Sequence, residues 1–310
     1  MQSDKKRKIF LAPMAGVTDV GFRHVCKMAG ADLTFTEMVS AKALSYDSQK
    51  TKDLLITSPI ETPVAVQIFG HEPDVMAKVC NSPELEKFDL IDINFGCPAP
   101  KIVNNGDGSA LLKDLKKLEQ IVYACAKASS KPISCKFRKG FLADDNIAVQ
   151  VAKICEDNGA KMITIHGRTR SQMYSGNVDL ETIAKVKASV NLFVVGNGDV
   201  IDEQSYNQMA SCGVDAVMIG RGALGNPNIF ALLKGNKPID KYSLVQEHIN
   251  VLKEYFKERY INATMRKHLL WYVAGEPNAS KFKQKIATSE DIDQSLEYVK
   301  EILCSKTYRK

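Results

Sequence analysis

Eight short apolar runs recur along the chain, and a segment with helical spacing follows each run. The runs cover residues 9–14, 33–38, 64–69, 90–94, 133–138, 162–166, 192–196 and 216–220. Amphipathic segments such as 146–156 and 203–212 separate them. Short strands that alternate with helices predict a parallel sheet covered by helices. Eight such units predict an α/β fold, a closed TIM (β/α)8 barrel.

Polar residues within these runs concentrate at the C-terminal end of each run. The ends carry Glu37, Gln67, Asn94, Lys136, Arg138, His166 and Arg168. In a barrel of parallel strands, the working side chains come from this end and from the loops that follow it, whereas the strand interiors supply packing. We therefore expect one functional site at the C-terminal mouth of the barrel.

A cysteine stands just after the fourth run, in the pentapeptide Asn94-Phe95-Gly96-Cys97-Pro98. Glycine permits a tight turn, and proline cannot extend a strand, so this thiol is held at the mouth. An isolated cysteine is more often a small buried hydrophobe. The polar neighbours favour a catalytic group instead.

Two glycine-rich turns follow the seventh and eighth runs, Gly196-Asn197-Gly198-Asp199 and Gly220-Arg221-Gly222. Backbone amides can approach an anion closely at such turns, and the loops after strands seven and eight are a common phosphate site in these barrels. One such turn alone is weak evidence. Two in these positions predict a ligand that carries phosphate.

Three of the predicted site residues also have simple structural interpretations. His166 could be a strand-end histidine whose hydrogen bonds are satisfied within the protein. Lys136 and Arg138, two residues apart on one strand, could form a solvated face. Their strand is otherwise apolar, however, and two buried cations need an anionic or polar partner.

The pattern changes at 235–238, and the residues that follow have a helical period over 244–260, 263–273 and 292–303. We predict two domains, a catalytic barrel over 1–236 and an all-helical domain over 237–310. Between 253 and 285 there are eight basic and three acidic residues, an excess that suits nucleic acid, although most charge runs are only solvated helix faces. Arg266, Lys267 and His268 lie beside Trp271, which could equally be a core residue.

Composition limits the remaining possibilities. With 45% hydrophobic residues, the 310-residue chain can bury a whole barrel, and no run of about 20 apolar residues predicts a membrane span. The eight cysteines form no Cys-x-x-Cys pair, which argues against a zinc or iron–sulfur site and favours reduced thiols in a cytoplasm. We expect a monomer without metal or membrane attachment.

Taken in order, these motifs resemble those of the flavin-dependent tRNA-dihydrouridine synthases. The matching segments are 12–19, 37–41, 67–70, 94–98, 136–138, 166–169, 196–199 and 220–222. Residues 37–41, and Arg266-Lys267-His268 before Trp271-Tyr272, are most similar to the bacterial B-type branch. The resemblance runs through nearly the whole chain.

The resemblance implies FMN in the barrel mouth, NADPH or NADH as reductant, and a tRNA uridine reduced across its C5–C6 bond. Cys97 would donate the proton to C5, after hydride passes from N5 of FMN to C6. The implied FMN contacts are Pro13, Met14, Ala15, Gln67, Lys136, His166, Asn197, Gly198, Asp199, Gly220 and Arg221. The implied substrate contacts are Asn94 and Arg138 at the base, and Arg266, Lys267 and His268 on the tRNA body.

Two other functions fit parts of the pattern. A barrel flavoenzyme that acts on a free pyrimidine, such as a dihydroorotate dehydrogenase, would use the same chemistry on a small molecule, and only the basic helical domain favours tRNA over it. An RNA-binding chaperone could retain the barrel without redox chemistry. In that case Cys97 would be dispensable.

Overall fold

A computed structural model of the protein describes residues 7–304. Its strands are β1 (Lys8–Leu11), β2 (Thr34–Ser40), β3 (Val64–Phe69), β4 (Leu90–Phe95), β5 (Ile133–Gly140), β6 (Met162–Thr169), β7 (Phe193–Asn197) and β8 (Ala216–Ile219). All neighbours pair in parallel, in the order β1-β8-β7-β6-β5-β4-β3-β2. A bridge between Phe10 of β1 and Leu33 closes the ring. The predicted TIM barrel is therefore confirmed.

The helices around the barrel are α1 (Val20–Met28), α2 (Ala41–Ser45), α3 (Gln49–Lys52), α4 (Pro73–Cys80), α5 (Pro100–Asn104), α6 (Leu115–Ala128), α7 (Ala148–Asp157), α8 (Leu180–Ser189), α9 (Glu203–Ser211) and α10 (Ile229–Leu233). Single turns of 3-10 helix lie at Asp53–Leu55, Pro83–Leu85 and Arg221–Ala223, and a longer one at Gly108–Lys113. No helix within residues 7–304 is both long and apolar enough to cross a membrane.

Side chains alternate along each strand between two environments, as β4 illustrates. Ile91, Ile93 and Phe95 join the large core between strands and helices. Asp92 and Asn94, two residues apart, belong to the other face, inside the barrel. The interior is apolar at its N-terminal end, where a separate cluster includes Phe10. Polar side chains thus fill the interior only towards the mouth.

Four further helices form the C-terminal region: α11 (Lys241–Tyr255), α12 (Glu258–Tyr272), α13 (Ala279–Thr288) and α14 (Ile292–Cys304). The predicted continuous helix over 244–260 is wrong. The chain is extended at Phe256, where α11 ends, and a new helix begins at Glu258. The helix α13 was missed, because its few core contacts, Ala279 and Ile286, lie among lysines.

The C-terminal helices share a second hydrophobic cluster that also takes in Val20 of α1. Asp19 caps α1, and its carboxylate lies 3.0 Å from His248 of α11 and 3.1 Å from His268 of α12. Gly225, at φ +64°, must be glycine because a Cβ there would collide with the carbonyl oxygen of Trp271. The helical region is therefore fastened directly to the barrel, beside its first loop.

Candidate active site

The Cys97 turn is fixed by hydrogen bonds on both sides. Asn94 Oδ1 accepts the N–H groups of Gly96 at 3.0 Å and of Cys97 at 2.8 Å. The carbonyl of Cys97 accepts the Ser109 hydroxyl at 2.8 Å, which ties the following segment to the turn. Burial raises the pKa of the Cys97 thiol, so it stays protonated near neutral pH. A fixed, protonated thiol can donate a proton.

Lys136 of β5 extends into the mouth and donates to Asn197 Oδ1 at 3.0 Å. Asn197 in turn donates to the carbonyl of Met218 at 2.9 Å. Burial and the nearby Arg138 lower the pKa of Lys136 to about 8. A half-buried ammonium group whose hydrogen bond goes to a neutral amide favours an anionic ligand. The side chain of Asn197 therefore positions Lys136, in addition to any role at the phosphate.

His166 is buried, yet its Nε2 atom has no hydrogen-bond partner. The hydroxyl of Thr164, two residues earlier on β6, is also buried without a partner. Burial, reinforced by Lys136 and Arg138, holds the pKa of His166 well below its ordinary value, so the imidazole is neutral. Buried polar atoms are nearly always satisfied in a working protein. These two atoms therefore call for a polar ligand.

Arg138 is buried and holds three backbone carbonyls. Its Nε donates to Gly96 at 2.9 Å, and its Nη1 donates to Thr169 at 2.9 Å and to Met173 at 2.7 Å. The guanidinium group thus joins the Cys97 turn to the loop after β6. Its predicted contact with the substrate stays a prediction, and the structure adds this positioning role.

Two arginines meet one carboxylate at the predicted phosphate end. Asp199 accepts from Arg168 at 2.9 Å and from Arg221 at 2.7 Å. A carboxylate repels phosphate, so only the backbone of Asp199 suits the predicted role, while its side chain orients the arginines. Gly198 has φ +135°, a backbone conformation that favours glycine.

The first loop reaches the mouth beside the end of β8. Met14 O accepts the N–H groups of Val17 and Thr18, both at 3.0 Å, which closes a turn. A Cβ on Gly220 would lie 3.6 Å from Met14 Sδ, so Met14 borders the second glycine turn. The predicted FMN contacts of Pro13, Met14 and Ala15 stay predictions.

The interior of β4 and β5 carries two polar residues that sequence reasoning missed. Asp92 and Ser134 are fully buried beside Gln67, which is itself 1% exposed. Strand pairing aligns Gln67 with Asp92, and Asp92 with Ser134. Burial raises the pKa of Asp92 to about 6. The sequence offered one signal for this buried polar group, which is the carboxylate of Asp92 in the middle of the apolar run 90–94.

The structure separates the three basic residues predicted to hold tRNA. Arg266 is half-buried and donates to the carbonyl of Ser289 at 3.0 Å. Lys267 lies towards the barrel mouth, with its Nζ 3.3 Å from the Cβ position of Gly16. His268 is fully buried, and burial lowers its pKa to about 4. The prediction that His268 contacts tRNA is wrong, because it faces Asp19 in the interior.

Asp19, His248 and His268 form a buried group whose ligand atoms lie within 4.8 Å of one another, a spacing that a metal ion could bridge. Hydrogen bonds within the protein already explain most of the close approach of these three side chains. Asp19 Oδ1 accepts from Phe22 N at 2.9 Å and lies 3.0 Å from His248 Nε2, while His248 Nδ1 lies 3.2 Å from the Tyr272 hydroxyl. The absence of a metal therefore stays a prediction.

The residues at the mouth fit a flavin. The half-buried Lys136 suits the negative charge that a reduced flavin carries, and His166 and Thr164 supply unsatisfied polar atoms. The glycine turns and Arg221 suit its phosphate. The arrangement places a protonated thiol, a lysine and the arginines beside the glycine turns at the same end of the barrel.

Comparison with known proteins identifies the family to which the chain belongs. Residues 10–307 match the family model described as dihydrouridine synthase (Dus). A probable tRNA-dihydrouridine synthase of Rickettsia conorii is 38% identical over 297 residues, which cover 91% of this chain and 89% of that protein. The tRNA-dihydrouridine synthase B of Pseudomonas aeruginosa is 34% identical, over 96% of this chain and 93% of that protein.

A solved structure of morphinone reductase in complex with tetrahydroNAD shares the fold. It covers 75% of this chain and 88% of its own, with a TM-score of 0.52 and 11% sequence identity. At that identity the likeness concerns the barrel alone.

Proposed function

The chain belongs to the dihydrouridine synthase family, and we propose that it is a tRNA-dihydrouridine synthase of the B-type branch that reduces uridine in tRNA with FMN and NADPH. NADH is the alternative reductant. The observation that carries the proposal is the protonated thiol of Cys97, held at the mouth beside the half-buried cation Lys136. Its neighbours Arg138 and His166 complete a cationic and polar cleft.

A flavin cofactor follows from family membership, and the mouth offers a place for each part of FMN. Lys136 and His166 would face the ring system, and Pro13, Met14 and Ala15 would border it. Arg221 and the backbone of Asn197, Gly198, Asp199 and Gly220 would hold the phosphate. When bound, FMN supplies the hydride that reduces C6 of uracil.

The side chains of the protein carry the rest of the chemistry. Reduction at C6 builds negative charge on the uracil, and C5 must then receive a proton. Cys97 supplies it, because its raised pKa keeps the thiol protonated at neutral pH. The cations Lys136 and Arg138 stabilise the developing negative charge. The thiolate that remains is reprotonated from solvent.

The C-terminal helices would hold the tRNA body. Exposed cations on this region include Lys257, Arg259, Lys281, Lys283 and Lys285. Lys267 reaches from α12 to the first barrel loop, so a tRNA on these helices would lie next to the mouth. Since a stacked uracil cannot present its C5–C6 face, the base must come from a loop or be flipped into the cleft. We propose that the 1–236 barrel and the 237–310 helices act in this way within a monomer.

The direct test is flavin reduction followed by reoxidation. Purified protein should show an oxidised flavin spectrum that NADPH bleaches and that unmodified tRNA restores faster than buffer does. Restoration by a free pyrimidine but not by tRNA would instead indicate a small-molecule reductase. A protein that binds tRNA but never FMN would be an RNA-binding protein without redox chemistry.

A further inference from the structure

Hydrogen bonds join four side chains inside the barrel and end at the catalytic turn. The Ser134 hydroxyl donates to Asp92 Oδ1 at 2.5 Å, and Gln67 Nε2 donates to Asp92 Oδ2 at 2.6 Å. Asn94 Nδ2 then donates to Gln67 Oε1 at 2.7 Å. Finally, Asn94 Oδ1 accepts the N–H group of Cys97 at 2.8 Å. A buried carboxylate is thereby connected to the backbone that presents the thiol.

The carboxylate decides which way each amide points. If Gln67 were flipped, its carbonyl oxygen would face a carboxylate oxygen at 2.6 Å, which is repulsive. If Asn94 were flipped, its NH2 group would face the N–H group of Cys97. The carboxylate at one end and the backbone N–H groups at the other require the same orientation of both amides, so the series runs without a mismatch from Asp92 to Cys97.

We propose that Asp92 is a positioning residue that acts on Cys97 through Gln67 and Asn94. It fixes the orientation of both amides and, through them, the turn that presents the thiol to the substrate. The role in turnover rests on the proposed function, whereas the effect on the position of Cys97 does not.

The charge state of Asp92 supports this role. Burial raises its pKa to about 6, while hydrogen bonds from Gln67 and Ser134 oppose the rise. The group is therefore mostly ionised at pH values above about 7, and an ionised carboxylate can only accept. None of the four side-chain residues is more than 7% exposed, so water does not compete for these bonds.

The series also limits what Asn94 can offer a ligand. Its Oδ1 atom already accepts two N–H groups, those of Gly96 and Cys97, and one N–H of its Nδ2 is donated to Gln67. One N–H group remains. Asn94 can therefore recognise a ligand only by donating, which suits a carbonyl oxygen of uracil or flavin and does not suit an N–H group.

Two variants of Asp92 distinguish a need for its hydrogen-bond acceptor from a need for its negative charge. Asp92→Leu has a similar shape without an acceptor, so Gln67 loses its anchor. Asp92→Asn keeps one oxygen, which can still accept the hydrogen bond from Gln67. Its NH2 group replaces the second oxygen and can donate to the Ser134 hydroxyl oxygen. The series of hydrogen bonds can therefore persist. Ser134→Ala is the matched control, because it removes a neighbouring hydrogen bond and leaves Asp92 with Gln67 intact.

The first readout needs no turnover: the rate at which iodoacetamide modifies Cys97, followed by mass spectrometry of that peptide. We expect Asp92→Leu to change this rate and Asp92→Asn to leave it at the wild-type value. The second readout is reoxidation of the bound flavin by unmodified tRNA. Misplacement of the donor by about 1 Å should slow this step about 100-fold in the Leu variant, with KM for tRNA unchanged.

The outcomes are distinct. Wild-type alkylation and reoxidation rates in Asp92→Leu would overturn the proposal, and so would an equal loss in both Asp92 variants, since that would show a need for charge or packing alone. If Asp92→Leu does not fold, the Asn variant still decides, because the proposal requires it to retain activity. If wild-type flavin never responds to tRNA, the proposed function fails, and the alkylation rates still test the positioning.

Discussion

Replacement of Lys136 by methionine should make the protein more stable without flavin and less able to bind it. The pKa of Lys136 is lowered to about 8, whereas an unperturbed lysine has about 10.4. That difference corresponds to about 3 kcal/mol of unfavourable free energy for keeping the buried group charged at pH 7. Replacing Lys136 also leaves Asn197 Oδ1 without its hydrogen-bond donor, which costs about 1–2 kcal/mol.

The sign of the pH dependence follows from these values. Because the folded pKa lies below the unfolded one, the folded protein binds fewer protons between pH 8 and 10, and wild type gains stability as pH rises through that window. The advantage of Lys136→Met, a net of about 1–2 kcal/mol at pH 7, should therefore disappear between about pH 9 and pH 10 and reverse above that range. For 310 residues, this net gain corresponds to a rise in Tm of about 2 °C.

The assay is thermal unfolding of flavin-free protein at several pH values, with and without added FMN. Loss of a charged hydrogen-bond donor should weaken FMN binding about 10- to 100-fold, so FMN should raise the Tm of wild type more than that of the variant. Lys139→Met is the control, because Lys139 is on the same strand but pairs with Asp179 at 2.9 Å. If Lys136→Met were less stable than wild type at pH 7 and bound FMN equally well, the assignment of Lys136 to the flavin would be refuted.

Three further predictions concern the thiol, the RNA surface and the buried histidines. Cys97→Ala should keep FMN and its reduction by NADPH, but slow tRNA-driven reoxidation by about 100-fold or more in stopped-flow absorbance, as loss of a general acid does; unchanged reoxidation would exclude Cys97 as the donor. In filter-binding titrations, Lys267→Ala should weaken tRNA binding and reduce by about 1 the slope of the logarithm of the binding constant against the logarithm of the salt concentration. His268→Gln should lower Tm and leave that slope unchanged. Elemental analysis should find no metal in stoichiometric amount, and EDTA should not alter Tm; one metal per chain would instead assign an ion to Asp19, His248 and His268.

The sequence allowed the fold to be predicted, and with it the end of the barrel where polar side chains gather, because both depend on periodicity. Runs of period two alternate with helical segments regardless of the details of packing. Strand ends were less certain: the first run was expected to continue to Met14, but β1 stops at Leu11, since proline at 13 cannot donate to a ladder. The break at Phe256 separates two stretches that both keep a helical spacing, so periodicity gave no signal for it.

Which individual side chains are buried was harder to predict from the sequence than the fold. His268 belongs to a basic, aromatic segment and was expected at the RNA surface, yet the helix turns it towards Asp19 while Lys267 beside it reaches the mouth. A residue's neighbours in sequence differ by about 100° around a helix, so composition of a segment does not assign a face. The role of Asp92 was equally hidden, because it depends on the register that places Gln67 and Ser134 on either side of it.

The polar mouth is itself evidence that the barrel is built for a ligand. Burial disfavours the charged forms of Asp92, Lys136 and His166, raising the pKa of the first and lowering the pKa of the other two. The opposite end of the interior shows that this chain can fill the same barrel with apolar side chains such as Phe10 and Met218. Apolar packing of that kind is generally at least as stable as a buried charge. Within the barrel interior of residues 7–304, Lys136 and His166 lie at the end that carries Cys97, and Asp92 is joined to that end by hydrogen bonds. What these groups bind and orient therefore explains their presence.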